Sequence, residues 1–315
     1  MRRACLESVY ELAKRDERVF FIGSDLGPGT LADFQNEMPD RFFMEGINEA
    51  NIIGMAAGLA LSGKIVYVNT IATFITRRCY EQIALDLCLH NANVRLIGNG
   101  GGLVYGPLGP THQAIEDIGI MRGLPNMTVL APADASEMRR LMPGTLEHSG
   151  PIYIRLAKGG DALVTDGFEQ QAIGQVLRMR EGNSVLLLTT GIMLQRALGA
   201  AEELGQAGLE AGVLHIPTLK PLNVEALTAE LVRAERLVTL EEHVLASGLG
   251  SAISDLLVDY GLHKPLLRLG LADSFMAAYG SQDQLLGSQG LDVTGISESV
   301  RRFISSRHDR VMVTG

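Results

Sequence analysis

Short, almost uninterrupted apolar runs alternate with longer helix-periodic segments along this chain, and that alternation is what most restricts its fold. Residues 19–22, 64–68, 94–97, 127–130 and 151–156 read as strands buried on both faces. Between them, 49–61 and 80–89 carry helical periodicity. Strands apolar on both sides and separated by helices belong to a parallel sheet covered by helices on each face. A polar, unpatterned stretch from Lys158 to about Gln171 interrupts the alternation and reads as a linker. The pattern then restarts, with strands expected at 185–189, 211–216, 236–240 and 265–269 and helices at 194–204, 223–234 and 247–257. The expected fold class is therefore α/β in two domains. Residues 1–165 form a doubly wound parallel sheet, and 172–315 form a smaller, mostly parallel α/β domain.

Charge and composition remove several function classes. The formal net charge is −9 and no Lys/Arg-rich run occurs, which argues against nucleic acid as the main partner. No apolar run reaches the roughly 18 residues that span a bilayer, so no membrane partner is expected. Met1-Arg2-Arg3 is not followed by the apolar core of an export signal and reads as the start of a helix. The three cysteines, Cys5, Cys79 and Cys88, form neither a CxxC pair nor a metal-ligand cluster. They read as small core residues in a reducing compartment, and the cytoplasm is the expected location. Gly58 to Lys64 imitates a P-loop, but Ile65 follows the lysine and the glycines close a helix instead of opening one. Gly63 reads as a helix end.

Four segments depart from ordinary core or surface patterning. The first, Gly46-Ile47-Asn48-Glu49-Ala50-Asn51, places an acid in the first turn of an otherwise apolar helix. On its own Glu49 is explained equally well as a charge favoured at a helix N-terminus. The second, Asn69 to Arg78, follows a strand and includes Ile71, Phe74 and Arg77. Open parallel sheets bind ligands at that end of their strands, although Phe74 read alone is a core residue. The third is a glycine-rich loop, Gly98-Asn99-Gly100-Gly101-Gly102 and then Gly106-Pro107-Leu108-Gly109-Pro110-Thr111-His112-Gln113. Its backbone can approach a ligand closely, and His112 is expected to close it at a helix start. The fourth is Met121-Arg122-Gly123-Leu124-Pro125-Asn126-Met127, followed by Ala131-Pro132-Ala133-Asp134.

In this order and spacing the four segments resemble the pyrimidine-binding domain of transketolases. The second half resembles that family's C-terminal domain, in Thr190-Gly191, Leu219-Lys220-Pro221-Leu222 and Glu241-Glu242-His243 followed by Gly248-Leu249-Gly250-Ser251. The resemblance covers about residues 1–305. It implies thiamine diphosphate as cofactor, with Glu49 hydrogen-bonded to N1′ of the aminopyrimidine and the helix after it lending an apolar pocket. It also implies Phe74 and Ile71 beside the pyrimidine, Ile71 standing where the family usually has an aromatic. Asp25 and Arg77 complete the implied cofactor set. His112 is implied as a catalytic residue facing cofactor and substrate. His243 is implied to be structural.

Two departures from the family shape the functional expectation. The GDG and downstream asparagines with which thiamine enzymes hold the metal and diphosphate do not occur in this sequence. The resemblance therefore implies a separate N-terminal transketolase subunit carrying that motif and Mg2+ (or Ca2+ or Mn2+), in an α2β2 heterotetramer with self-dimerisation. The substrate loop also differs. Leu108 stands in place of the family's acid, Gly100 in place of a histidine, and Lys158 in place of a phosphate-binding arginine, with Arg155 nearby. Lysine holds a phosphate as a point charge, without arginine's fork.

The expected activity is thus a thiamine-diphosphate-dependent transketolase-type transferase, active only with its partner subunit. It would move a two-carbon ketol unit between a ketose and an aldehyde, with a small sugar or keto substrate other than the standard pentose phosphates. The alternatives are a decarboxylating synthase, like deoxyxylulose-phosphate synthase or the β subunit of a 2-oxo acid dehydrogenase, and a non-catalytic structural subunit.

Overall fold

A computed structural model describes residues 1–24, 29–157, 159–305 and 312–313. Asp25 and Lys158 lie outside the described residues. The chain forms two compact units, Met1–Gly101 with Ile120–Ile173, and Gly102–Gly119 with Gly174–Gly315.

The first unit opens with α1 (Arg2–Arg15), β1 (Val19–Gly23), α2 (Ala32–Glu37), β2 (Phe42–Met44), α3 (Glu49–Leu61) and β3 (Ile65–Ile71). It continues through α4 (Ala72–Arg77), α5 (Tyr80–Gln82) and β4 (Val94–Asn99). The division between the units falls inside α6 (Asp117–Arg122). Beyond it come β5 (Thr128–Leu130), α7 (Ala135–Glu147) and β6 (Ile152–Leu156). Six strands of this unit run parallel in the order β5-β6-β4-β3-β1-β2. All residues of β4 and β6 are buried, as expected of strands covered on both faces. From β1 the chain passes outward to β2, then returns across to β3, so the sheet reverses direction between β1 and β3. Crevices outside the carboxyl ends of strands at such a reversal are where open α/β sheets bind ligands.

Helix α3 shows why its sequence folds as it does. Glu49, Ile52, Ile53, Ala56 and Ala57 are buried, a stripe at helical spacing. Asn51, Gly54, Gly58 and Leu61 fall on the exposed side. The helix ends at Ser62, and Gly63 follows at φ +86°, the left-handed conformation that glycine adopts without strain. The P-loop imitation is therefore a helix terminus.

The second unit contains β7 (Leu177–Arg180), β8 (Val185–Thr189), α8 (Met193–Gln206), β9 (Ala211–His215), β10 (Thr218–Lys220) and α9 (Val224–Arg233). There follow β11 (Leu237–Val244), α10 (Leu249–Asp259), β12 (Leu266–Leu271), α11 (Gln282–Ser288), α12 (Val293–Ser305) and β13 (Met312–Val313). Its sheet runs β13-β12-β11-β8-β9-β7, parallel except for the antiparallel edge pair β7–β9. The α/β class with two domains and mostly parallel sheets is as the sequence implies.

Two local expectations change. The single helix over 80–89 is instead α5 followed by wider π turns over Ile83–Leu89. These turns bury Ile83, Leu87 and Cys88, and the side-chain amide of Asn126 donates to the Cys88 carbonyl at 3.0 Å. The polar stretch after β6 lacks helix and strand in its described residues but is anchored. Thr165 is fully buried, its backbone N–H donates to Asp134 Oδ2 at 2.8 Å, and Gln171 Nε2 donates to Glu137 Oε1 at 2.5 Å.

Candidate active site

Glu49 begins α3 with its side chain turned inward, only 2% exposed. Its Oε1 lies 3.5 Å from Thr70 Oγ1 on β3. Thr70 in turn accepts from Ser24 Oγ at 2.5 Å, and Ser24 is the residue just after β1. A carboxylate and two hydroxyls are thus chained across the β1/β3 reversal point. Backbone registry holds the chain in place, because Ser24 N–H donates to Asn69 O at 3.2 Å.

The other oxygen of Glu49 departs from the apolar pocket expected around it. Oε2 accepts from Arg78 Nη1 at 2.8 Å. The Arg78 guanidinium also lies 4.3 Å from the centroid of the Phe74 ring, a cation–π distance. Phe74 and Arg78 are four residues apart along one turn of backbone, so their side chains rise on the same face. A carboxylate buried at the start of a helix requires a counter-charge or a proton, and here Arg78 supplies the counter-charge.

The carboxyl ends of the neighbouring strands close the rest of this neighbourhood. Asn99 Nδ2 on β4 donates to Asn69 Oδ1 on β3 at 2.7 Å. Asn69 Nδ2 and Asn99 Oδ1, a donor and an acceptor, are buried without hydrogen-bond partners among the described residues. Gly100, at φ +74°, turns the chain away from β4, and the N–H groups of Gly100 and Gly101 both donate to Leu156 O at 2.9 Å. Arg155 on β6 is buried at 6% exposure, and its side chain covers Gly101 where any Cβ would collide with it. Ile71 and Phe74 are half-buried, whereas Arg77 is exposed.

His112 and Leu108 belong to the second unit, in the loop Gly102–Gly119. Gly102 and Ala114 exchange backbone hydrogen bonds of 2.8 and 3.0 Å, closing the loop into a hairpin. Leu108 ends a 3-10 turn, Gly106–Leu108, and is 53% exposed. His112 N–H donates to Gly109 O at 3.0 Å, its Nδ1 lies 2.9 Å from Thr111 Oγ1, and its ring meets Tyr105 edge-on. No helix begins at His112, contrary to expectation. The backbone there is committed to the hairpin, and α6 starts at Asp117. Close packing accounts for two of the loop glycines. A Cβ on Gly109 would lie 2.8 Å from the Tyr279 ring, and one on Gly106 2.8 Å from Gly280 O.

The sequence reading missed Arg78, Thr70 and Ser24. The four-residue interval between Phe74 and Arg78 was the available signal for the first. The other two become visible only once β1 and β3 are known to be adjacent.

Two family models together match most of the chain. The model described as the transketolase pyrimidine-binding domain matches residues 1–160, and that of the transketolase C-terminal domain matches 174–296. The chain belongs to the transketolase family. Among relatives, it is 34% identical to a 6-deoxy-6-sulfo-D-fructose transketolase subunit from a Clostridium species, over 98% of this chain and 96% of that one. It is also 34% identical to an apulose-4-phosphate transketolase subunit from Actinobacillus succinogenes, over 87% and 88% of the two chains. A solved structure described as a split gene transketolase, inactive beta4 tetramer, superposes with a TM-score of 0.88 at 33% identity, covering 98% of this chain and 99% of that one. Membership in a thiamine-dependent transferase family makes thiamine diphosphate the relevant cofactor for this transketolase-family chain.

Proposed function

We propose that this chain is the C-terminal subunit of a two-chain, cytoplasmic transketolase that transfers a two-carbon ketol unit from a ketose to an aldehyde. One observation carries the reading: a carboxylate, Glu49, buried at the strand-end reversal point of the sheet, in a chain of this family. The residues fit an aminopyrimidine. A buried carboxylate can share a proton with a ring nitrogen, Phe74 offers a ring face, and the unpartnered amide atoms of Asn69 and Asn99 lie at the adjoining strand ends.

When bound, thiamine diphosphate supplies the nucleophilic carbon that carries the two-carbon unit. Glu49 is assigned to hold the proton shared with the pyrimidine ring, and Phe74 and Ile71 to orient that ring. His112, at the loop surface, is assigned to bind substrate and move a proton to or from its hydroxyl groups. An N-terminal subunit carries the GDG motif, the diphosphate and its Mg2+, and the working assembly is α2β2. Relatives named as transketolase subunits, matched nearly end to end, support the two-chain arrangement. The substrate is a specialised sugar. Leu108 in place of an acid removes a polar contact to a sugar hydroxyl, and both relatives carry the names of uncommon sugars.

Glu49→Gln in the reconstituted two-chain enzyme tests the reading. Turnover is expected to fall by about a thousandfold or more, roughly 4 kcal/mol of transition-state stabilisation, with the mass of the assembly unchanged. Undiminished turnover would leave only a structural role for this chain.

A further inference from the structure

The loop that carries Leu108 and His112 is fastened at three points to the end of a single strand of the second unit. Leu103 N–H donates to Glu242 Oε1 at 2.9 Å. Val244 N–H donates to Ile115 O at 2.9 Å. Gly119 N–H donates to His243 Nε2 at 3.1 Å. Consecutive residues of a strand face opposite ways, so Glu242 and His243 hold the two ends of the loop from opposite sides of β11, His243 on the side of Glu241, whose Oε2 lies 3.9 Å from its Nδ1. The pairing of β11 with β12 shifts register between Leu240 and Val244, the stretch that holds both residues.

Each fastening is buried and specific. Glu242 is 2% exposed and His243 is fully buried. The same Glu242 Oε1 also accepts from Gln282 Nε2 at 2.7 Å, which ties the loop to the start of α11. His243 accepts at Nε2, so its ring proton is on Nδ1, from which it donates to Val244 O at 2.6 Å. Gly102, at φ +67°, leaves no room for a Cβ beside the Glu242 carboxyl group. Between the fastenings the loop is braced by its own turns, with Leu108 N–H on Tyr105 O at 2.8 Å and Gly109 N–H on Gly106 O at 3.0 Å. Gly106 N–H on Leu103 O at 2.8 Å joins the first fastening to the segment bearing Leu108 and His112.

We propose that Glu242, with His243, is a positioning residue for the substrate loop, so that the C-terminal unit sets where His112 and Leu108 stand. The proposal rests on the assignment of His112 to substrate. It gives the Glu-Glu-His sequence two tasks. Glu241 holds α10 within the unit, its Oε2 and Oε1 accepting from Leu249 N–H at 2.7 Å and Gly250 N–H at 2.9 Å, while the next two residues hold the loop.

Three substitutions of Glu242, with His112→Ala beside them, test it by two readouts. Glu242→Gln keeps an oxygen acceptor at the same reach. Glu242→Asp keeps the charge but withdraws it by one methylene, and Glu242→Ala removes it. Hydrogen exchange on the purified chain should quicken about tenfold at residues 103–119 in Glu242→Asp and Glu242→Ala and stay near wild type in Glu242→Gln, with α8 and α9 unchanged in all three. Exchange in the loop that is unaltered in both Asp and Ala variants, or quickened equally throughout the unit, overturns the proposal. In the reconstituted enzyme, Glu242→Asp should raise KM for the sugar and lower kcat, with Glu242→Gln restoring both. Added to His112→Ala, it should cost no more than His112→Ala alone. Full additivity overturns the proposal. A silent His112→Ala instead removes the assignment of His112, and loop exchange alone then decides whether Glu242 positions the loop.

Discussion

Arg78 Nη1 stands 2.8 Å from Glu49 Oε2, joining an exposed cation to a carboxylate that is almost wholly buried. The two partners are unequal. The Arg78 side chain is 46% exposed and remains hydrated if the pair breaks, whereas Glu49 has little access to water. Removing arginine should therefore harm the fold more than the exposure of the pair suggests. Arg78→Ala is expected to destabilise the chain by about 1–2 kcal/mol, below the 3–5 kcal/mol typical of a fully buried pair. In a Glu49→Gln background the same change should cost under about 0.5 kcal/mol, since no buried charge is then abandoned. Urea denaturation of the four proteins measures the coupling. An equal cost of Arg78→Ala in both backgrounds would show that the guanidinium acts through its packing on Phe74 alone.

Leu108 makes the substrate proposal accessible to a single substitution. It is 53% exposed at the end of a short turn, so an aspartate there should change stability by no more than about 0.5 kcal/mol. If the missing acid is what turns the enzyme from ordinary phosphosugars, Leu108→Asp should raise kcat/KM for xylulose 5-phosphate with ribose 5-phosphate about tenfold, the equivalent of one regained hydrogen bond. Steady-state assays of the reconstituted enzyme check this. A wild-type enzyme already efficient on that pair would contradict the premise.

Much of the architecture could be read from the sequence because parallel strands covered on both faces leave an uninterrupted apolar record. Val185–Thr189 and Glu49–Leu61 emerge with the expected bounds. The edge strands β2 and β7 left no such record. β7 is buried only at Leu177, grades to an exposed Arg180 and pairs antiparallel, so its four residues carry neither an apolar run nor an alternation. Pro143 similarly masks α7, although the helix runs through it from Ala135 to Glu147. Around the candidate site, Glu49 stood out as an acid opening an otherwise apolar helix, a pattern that a helix N-terminal charge explains as well, and only the family resemblance singled it out. Arg78 did not stand out, because its value lies in where α4 ends relative to α3. Nor did the sequence disclose that the glycines of the His112 loop are shaped by Glu242 and Tyr279, residues more than a hundred positions away.

The glycines separate into two kinds, and substitution should tell them apart. Gly102→Ala places a methyl group at φ +67° against a buried carboxyl group and should destabilise the second unit by about 2 kcal/mol or more. Gly58 lies on the exposed side of α3, and nothing stands within 4 Å of the place a Cβ would take. Gly58→Ala should stabilise the isolated chain by about 0.5–1 kcal/mol through the lower helix cost of alanine. Thermal melts of the two variants should move in opposite directions. A loss in Gly58→Ala would mean that α3 is packed more tightly there than the structure shows.

Asp134 predicts an acid limb in the stability of the first unit. Its carboxylate is fully buried and caps α7, with Oδ1 accepting from Glu137 N–H at 2.9 Å and from Thr165 Oγ1 at 2.8 Å. Oδ2 accepts from the N–H groups of Val164 and Thr165 at 2.7 and 2.8 Å. Burial works to raise its pKa, but these donors outweigh burial and hold it below the ordinary carboxylate value. A depressed folded-state pKa adds stability above the unfolded value, near pH 4, and that stability is lost as pH falls through the folded one. Asp134→Asn, whose amide turns a donor toward donors, should cost about 2 kcal/mol at neutral pH. The deficit should shrink as pH falls below about 4, because the unfolded wild-type chain then takes up a proton that the folded carboxylate accepts only at lower pH. Urea midpoints for both proteins between pH 7 and pH 3 check the sign. A deficit that is constant or grows toward acid would mean that the carboxylate's charge contributes nothing to the tether between α7 and the segment after β6.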